Sequence, residues 1–327
     1  MNKQRAKEIF SLLSGKQIVV VGDVMLDEYI WGKVNRISPE APVIVVDAER
    51  YSQVPGGAAN VVNNLCALGA TGVIVGTVGD DAAAETLRDS LRGEGADVDG
   101  LITLTDRPTT RKTRVIAHSQ QIVRVDHEKR GHLGPDIIAK LIDQIERLAA
   151  NAHAIVLSDY IKGVLGTEVI DASVRIAKER GIPITGNLKP RTITAKTSLT
   201  VLTLNLLEAG QAVGAEPLDS DAKVLEAGQE LLARTGSEHI LITRGSQGLS
   251  LFFASHPSSP HHVAARPVEV YDVAGAGDTV ISAMTLALAV GATPVEAVTL
   301  ANRAAAEAVK KVGVATISQA EILASFG

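Results

Sequence analysis

Asp272-Val-Ala-Gly-Ala-Gly-Asp278-Thr279 runs straight into the helix-forming stretch Val280-Ile-Ser-Ala-Met-Thr-Leu-Ala-Leu-Ala-Val290, and the strand-like Pro267-Val-Glu-Val-Tyr271 comes just before it. Small residues at a helix start leave backbone N–H groups without partners, and the helix dipole adds partial positive charge there. Such a nest suits a phosphate, or the charge that builds on a phosphoryl group in flight. An aspartate at that mouth, Asp278, is placed to take a proton from an attacking hydroxyl. A plain glycine turn opening a buried helix accounts for the stretch alone equally well.

Working outward, short β-branched runs alternate with amphipathic stretches, which predicts a parallel sheet wrapped by helices. Strands are expected at 17–21, 72–78, 153–157, 181–185, 200–204 and 239–243, with helices at 58–68, 82–92, 135–150, 167–180 and 221–235. The early strands are apolar on both faces, as a sheet covered on both sides requires. Two segments break the rhythm. Pro42–Asp47 follows the first strand with no helix between, and Thr109–Asp126 reads as a hairpin turning near Ser119-Gln120. They predict a small extra sheet, inserted at about 28–54 and 100–127 of a single domain spanning 1–327. Such a sheet serves as a lid or pairs with a second subunit to hide its edge.

Composition removes other classes. The chain has 327 residues and 46% hydrophobic side chains, enough for a large core. Lys+Arg 32 against Asp+Glu 37 gives −5, and aromatics are 3%, so neither a nucleic-acid surface nor a base-stacking platform is expected. Cys66 is alone and the eight histidines show no metal-ligand spacing. No apolar run approaches the ~20 residues of a membrane span, and the N-terminus lacks a signal-peptide core. A cytoplasmic protein with no membrane partner is the expectation.

Further candidates lie at strand ends and glycine turns. Asp23 and Asp27, at and just past the first strand, are placed to grip hydroxyls, or to cap a turn. Pro55-Gly56-Gly57-Ala-Ala-Asn60 opens a helix with backbone able to approach a ligand. Asn205 and Glu208, three apart, suit a hydrated Mg²⁺ or nucleotide phosphates, and suit a capping box as well. Thr243-Arg-Gly245-Ser-Gln-Gly248 is a β-turn or a nucleotide contact. Arg111, Lys112, Arg114 and Arg124 are a solvated strand face, or converge on a substrate phosphate.

Taken in order, the GlyGly-x-x-Asn segment, the Asn-x-x-Glu segment and the Gly-Ala-Gly-Asp segment resemble the ribokinase-like (PfkB) carbohydrate kinases across almost the whole chain. Within that family GDVMLDEYIWG (22–32), RISPEAPV (36–43), PGGAANV (55–61), QQIVRVD (120–126), LSDYIKG (157–163) and YDVAGAGDTVI (271–281) are most similar to heptose-7-phosphate kinases of ADP-heptose synthesis. The resemblance implies a three-layer α/β/α sandwich with a mainly parallel sheet and a β-sheet lid. It also implies ATP, Mg²⁺ and a monovalent cation such as K⁺ as cofactors; the homodimer expected through the lid rests instead on the lid's few strands and exposed edge. The reaction implied is phosphorylation of the C1 hydroxyl of D-glycero-D-manno-heptose 7-phosphate, feeding lipopolysaccharide synthesis. Asp278 is then the base, with Gly275, Ala276 and Gly277 as the anion hole. Asn205 and Glu208 organise Mg²⁺ through water. Asp23, Asp27, Gly56, Gly57, Asn60, Arg111, Lys112, Arg114, Arg124 and Lys189 hold the sugar phosphate. Asn205, Thr243, Gly245, Gly248, Asp272 and Asn302 line the nucleotide pocket.

The sequence departs from that pattern twice. Gly186-Asn-Leu-Lys-Pro-Arg191 stands where the heptose kinases carry Asp-Pro-Lys, with Lys189 replacing the lysine, and Thr203-Leu-Asn205 stands for Thr-Pro-Asn. No nucleotidyltransferase motif of the HxGH type occurs before Gly327, so a stand-alone kinase is expected. The rivals are a kinase for another sugar, a sugar-binding regulator on the same scaffold, and, more distantly, a dinucleotide oxidoreductase. The last would need its glycine motif after the first strand.

Overall fold

The computed structural model describes residues 1–118, 120–195 and 197–326. In chain order the elements are α1 (Lys3–Ser11), β1 (Gln17–Gly22), β2 (Val24–Ile37), β3 (Ile44–Gly57), α2 (Ala58–Ala67), β4 (Thr71–Gly79), α3 (Ala82–Gly93), β5 (Asp97–Leu104), β6 (Arg111–Ala117), β7 (Gln120–His127) and α4 (Pro135–Leu148). There follow β8 (Ala154–Ser158), α5 (Thr167–Arg180), β9 (Ile184–Asn187), β10 (Val201–Asn205), α6 (Leu206–Val213), α7 (Asp221–Thr235), β11 (His239–Thr243), β12 (Leu249–Phe253), β13 (His261–Val263), α8 (Ala276–Ala289), α9 (Pro294–Ala308) and α10 (Gln319–Ala324).

The large sheet has the order β13-β12-β11-β10-β9-β8-β1-β4-β5. It is parallel from β5 to β11, and β12 pairs antiparallel with both its neighbours. In β1 alternate side chains feed the two core layers: Ile18 and Val20 pack under α2, α8 and α9, while Val19 and Val21 pack under α4, α5 and α7. That alternation explains why these strands read as unbroken apolar runs. Strand order reverses around β1, where a crevice opens beyond the strand ends.

The lid is a second sheet, β3-β2-β6-β7. Its strands lie at 24–57 and 111–127, so the expected windows of 28–54 and 100–127 need correction: residues 97–104 form β5, the edge of the large sheet. Asp27 accordingly lies inside β2 and not past the end of β1. The β6–β7 hairpin is where it was expected, and Ser119 of its turn lies outside the described residues. Two further expectations fail. Residues 267–271 are irregular, and the strand expected at 181–185 lies at Ile184–Asn187, because Gly181 is the left-handed cap of α5 with φ 64. Among the described residues no helix is long and apolar enough to cross a membrane.

Candidate active site

Asp278 is the third residue of α8, 6% exposed, at the mouth of the crevice. Gly275 caps the helix at φ 76, and a Cβ there would sit 3.0 Å from Asn60 Nδ2. The turn spends one of its donors internally: Ala276 N–H donates to Val273 O at 3.2 Å. Among the described residues the outward donors are therefore the N–H groups of Gly275, Gly277 and Asp278, a correction to the expected trio.

Each carboxylate oxygen of Asp278 accepts one side-chain hydrogen bond. Asn60 Nδ2 donates to Oδ2 at 2.7 Å, and Tyr160 Oη donates to Oδ1 at 2.7 Å. A buried amide chain fixes which way Asn60 points: Thr279 Oγ1 donates to Asn64 Oδ1 at 3.2 Å, and Asn64 Nδ2 donates to Asn60 Oδ1 at 3.2 Å. Burial pushes the Asp278 carboxyl up to about 6; the bonds from Asn60 and Tyr160 oppose the rise, Asp27 adds to it and Lys189 subtracts. A carboxylate poised there can serve as a general base near neutrality.

The nest is one end of a cavity of about 690 Å³. Thr243, Gly245, Gly248 and Asn302, the residues assigned to a nucleotide pocket, line it together with Ala276 and Gly277. Arg266 and the irregular 267–270 stretch line it too, which is why that stretch reads as apolar without being a strand. Asp272 does not line the cavity. Its oxygens accept from Ala274 N and Gly313 N, both at 2.9 Å, tying the nest to the 313 loop.

Asn205 and Glu208 form the capping box of α6. Glu208 does more than cap, since Oε1 is 2.5 Å from Lys189 Nζ, which lies 5.4 Å over the Tyr160 ring. Lys189 thus sits beside the transfer site and not with the lid cations, a correction to its expected role. Asn187 Nδ2 would be 3.7 Å from a Cβ on Gly277, and its buried Oδ1 has no donor among the described residues. Among the described residues no group of three or more His, Cys, Asp or Glu could hold a metal ion.

On the sugar side, Asp23 is fully buried, and its oxygens accept from the backbone N–H groups of Tyr160, Lys162 and Val164 at 2.9, 2.9 and 3.0 Å. It organises that loop and has no free face for a sugar, the turn role foreseen as its alternative. Asp27 stays at the crevice, paired with Arg114 Nη1 at 2.5 Å. Gly56 must lack a side chain because a Cβ would lie 2.3 Å from Asp27 Oδ2. At Gly57 a Cβ would lie 2.5 Å from Asp23 O.

The four lid cations split by strand alternation. Lys112, Arg114 and Arg124 share one face with Asp27 and Asp126, whereas Arg111 points to the other, towards Glu28 at 3.9 Å. Arg111 lines a separate cavity with Asp80, Asp81, Arg107 and His127. Arg114 has Asp27, Arg124 has Asp126 at 2.8 Å and the neighbouring Lys162 has Glu128 at 2.5 Å. Among the described residues Lys112 has no ion pair; burial, Lys162 and Arg124 lower its pKa, and Asp126 and Asp27 oppose the fall.

Tyr160, Asn64 and Lys162 are the site residues that sequence reasoning passed over. Tyr160 and Lys162 lie in the 157–163 stretch singled out for resemblance, without a role. Asn64 carries one cue, its position one turn beyond Asn60 on α2.

The pfkB family carbohydrate kinase model matches residues 16–321. The chain is 40% identical over 327 residues to the bifunctional protein HldE of Geobacter metallireducens, covering 100% of this chain and 66% of that protein. It is 42% identical over 291 residues to the HldE of Pelobacter propionicus, covering 89% of this chain and 59% of that one. The chain thus spans less than two thirds of the length of these curated relatives. Among solved structures, phosphofructokinase-2 from Escherichia coli in complex with potassium superposes with TM-score 0.79 at 21% identity, covering 95% of this chain and 99% of that one. Arabidopsis thaliana ribokinase complexed with ribose and ATP gives TM-score 0.72 at 18% identity, covering 96% and 99%. Both sheets, the nest at α8 and the Asn60–Asp278 contact fall within the matched span, and the chain belongs to the pfkB family of carbohydrate kinases.

Proposed function

We propose that this chain transfers the γ-phosphoryl group of ATP to the C1 hydroxyl of D-glycero-D-manno-heptose 7-phosphate, giving the 1,7-bisphosphate for ADP-heptose and lipopolysaccharide core synthesis. The observation that carries the substrate class is Lys112. Three of the cations around the lid face are ion-paired to a carboxylate of their own, and among the described residues Lys112 is not, with Asp126 and Asp27 acting on it only at longer range. A half-buried unpaired ammonium is stabilised by an incoming anion, and a phosphate on the substrate supplies one. The similarity to HldE proteins and to heptose-kinase wording supports the heptose in particular.

In this reading Asp27 and the Gly56-Gly57 backbone hold sugar hydroxyls, and Asp278 accepts the proton of the attacking C1 hydroxyl. Asn60 keeps the carboxylate aimed. The N–H groups of Gly275, Gly277 and Asp278 receive the charge on the transferring group. The nucleotide lies in the cavity lined by Thr243, Gly245, Gly248 and Asn302. Mg²⁺, when bound, neutralises charge between the phosphates. Asn205 and Glu208 would hold it through water, because Glu208 is already engaged by Lys189 and the Asn205 N–H. A potassium requirement carries over from the resemblance alone; Asp272, whose oxygens both accept backbone N–H groups, is assigned no cation. The working form would be a cytoplasmic homodimer joined through the lid.

A kinase for another sugar phosphate is the second reading. Asn187 and Lys189 favour it, standing where heptose kinases carry Asp-Pro-Lys. Coupled ADP release over sugar phosphates, with ³¹P NMR of the product, tests both. The expected product carries a new phosphorus resonance coupled to the anomeric proton. A phosphate appearing elsewhere on the sugar, or turnover fastest with an unphosphorylated sugar, would refute the heptose-phosphate assignment.

A further inference from the structure

We propose that Tyr160 is a positioning residue for the phosphoryl transfer, its phenol hydroxyl holding the Asp278 carboxylate ionised and aimed at the acceptor hydroxyl. This rests on the reading of Asp278 as the base. The contact is direct, Oη to Oδ1 at 2.7 Å, with Asp278 buried and Tyr160 half-buried. With Asn60 on the other oxygen, each carboxylate oxygen keeps one lone pair for the incoming hydroxyl.

The backbone around Tyr160 is built to hold that aim. Asp23 ties down the N–H groups of Tyr160, Lys162 and Val164. Asp159 accepts from Ile161 N at 2.8 Å and from Lys189 N at 3.0 Å. Between them Ile161, a β-branched residue, sits at φ 56. That conformation is costly for such a residue and persists only where its surroundings over-determine it. Two buried aspartates and a strained backbone thus converge on one short loop, whose product is a phenol placed on the base. A merely structural tyrosine would need neither.

The groups facing the pair from the packed elements are Asp27 on β2, Asn60 on α2, Lys189 after β9 and Glu208 on α6. Their charges stay in place when only the phenol oxygen is removed. Loss of a donor to the ionised form raises a carboxyl pKa. Tyr160→Phe should therefore move the acid limb of kcat/KM upward by about one pH unit. Turnover should fall about fivefold near pH 6, approach a tenfold loss below pH 5, and largely recover at pH 8.5. KM for ATP and the melting temperature should stay close to the parent values. An unmoved or downward-moved limb overturns the proposal. Should Tyr160→Phe not fold, 2,3-difluorotyrosine at position 160 keeps the shape and strengthens the donor, so the limb should move down; no movement again overturns it. Asp278→Asn separates the two failures, since retained turnover there removes the base itself, whereas an inactive Asp278→Asn with an unmoved Tyr160→Phe limb removes only the role of Tyr160.

Discussion

At neutral pH Asp278 carries its charge where burial opposes it, and both activity and stability follow from that conflict. As a base it works only when ionised, so kcat/KM should fall with decreasing pH through an apparent pKa of about 6. The stability effect has the opposite sign. A folded-state pKa raised above the ordinary carboxyl value favours the protonated form in the fold. The contribution is present below the unfolded pKa and is lost as pH rises through about 6. Asp278→Asn should accordingly lose ~10²–10⁴-fold in turnover, yet melt no lower than the parent at pH 8. Activity within a few-fold of the parent would remove Asp278 as base, and a lower melting temperature would show its charge to be fully compensated. The residue itself was legible only because its glycine turn stands in order with the GlyGly-x-x-Asn and Asn-x-x-Glu segments, since the turn alone reads equally well as a plain helix start. Its partners were only partly so. Asn60 stood in a glycine motif, but Tyr160 reaches Asp278 across 118 positions of sequence, and no spacing rule carries that distance.

At the scale of elements, the lid and the α6 cap each carry a test. The lid exposes Ile37, Val43, Ile44, Tyr51, Val123 and Val125, and β3 and β7 are its open edges. Exposed apolar strands at a sheet edge invite pairing with a second copy. Light scattering at micromolar concentration should report a dimer, and Ile44→Glu with Tyr51→Glu should shift it towards monomer; a monomeric parent would refute the lid interface. At α6 the capping box makes Glu208 look purely structural, but its second oxygen holds Lys189 beside Tyr160. Glu208→Gln keeps an acceptor for the cap and loses the charge. It should raise the Mg²⁺ concentration needed for half-maximal rate several-fold while leaving sugar KM nearly unchanged. An unchanged Mg²⁺ titration would leave Glu208 as a cap and a lysine partner only. The hairpin of the lid was legible from its alternation, whereas β2 was not. Its first residues are buried as deeply as β1, so period-2 patterning gives no sign that the chain has left one sheet for another.

At the scale of the whole molecule, most of the large sheet could be read from the sequence because its strands are apolar on both faces and its helices are amphipathic. What could not be read was how strand alternation sorts charges that are neighbours in sequence. Arg111 and Lys112 are adjacent, yet they lie on opposite faces of the lid sheet, Arg111 lining a cavity with Asp80 and Asp81, and among the described residues Lys112 has no ion pair. In the function proposed here that asymmetry is what would distinguish a phosphorylated sugar from a plain one. The most direct measurement is kcat/KM by ADP release for D-glycero-D-manno-heptose 7-phosphate against the same heptose without its phosphate, with the parent and with Lys112→Met. Charge-assisted contacts are worth roughly 1.5–3 kcal/mol each, so the parent should prefer the phosphorylated sugar by about ten- to a hundredfold. Lys112→Met should lose most of that preference. Equal efficiency with and without the phosphate, or a preference untouched by Lys112→Met, would contradict a sugar-phosphate kinase that reads its substrate through this lid.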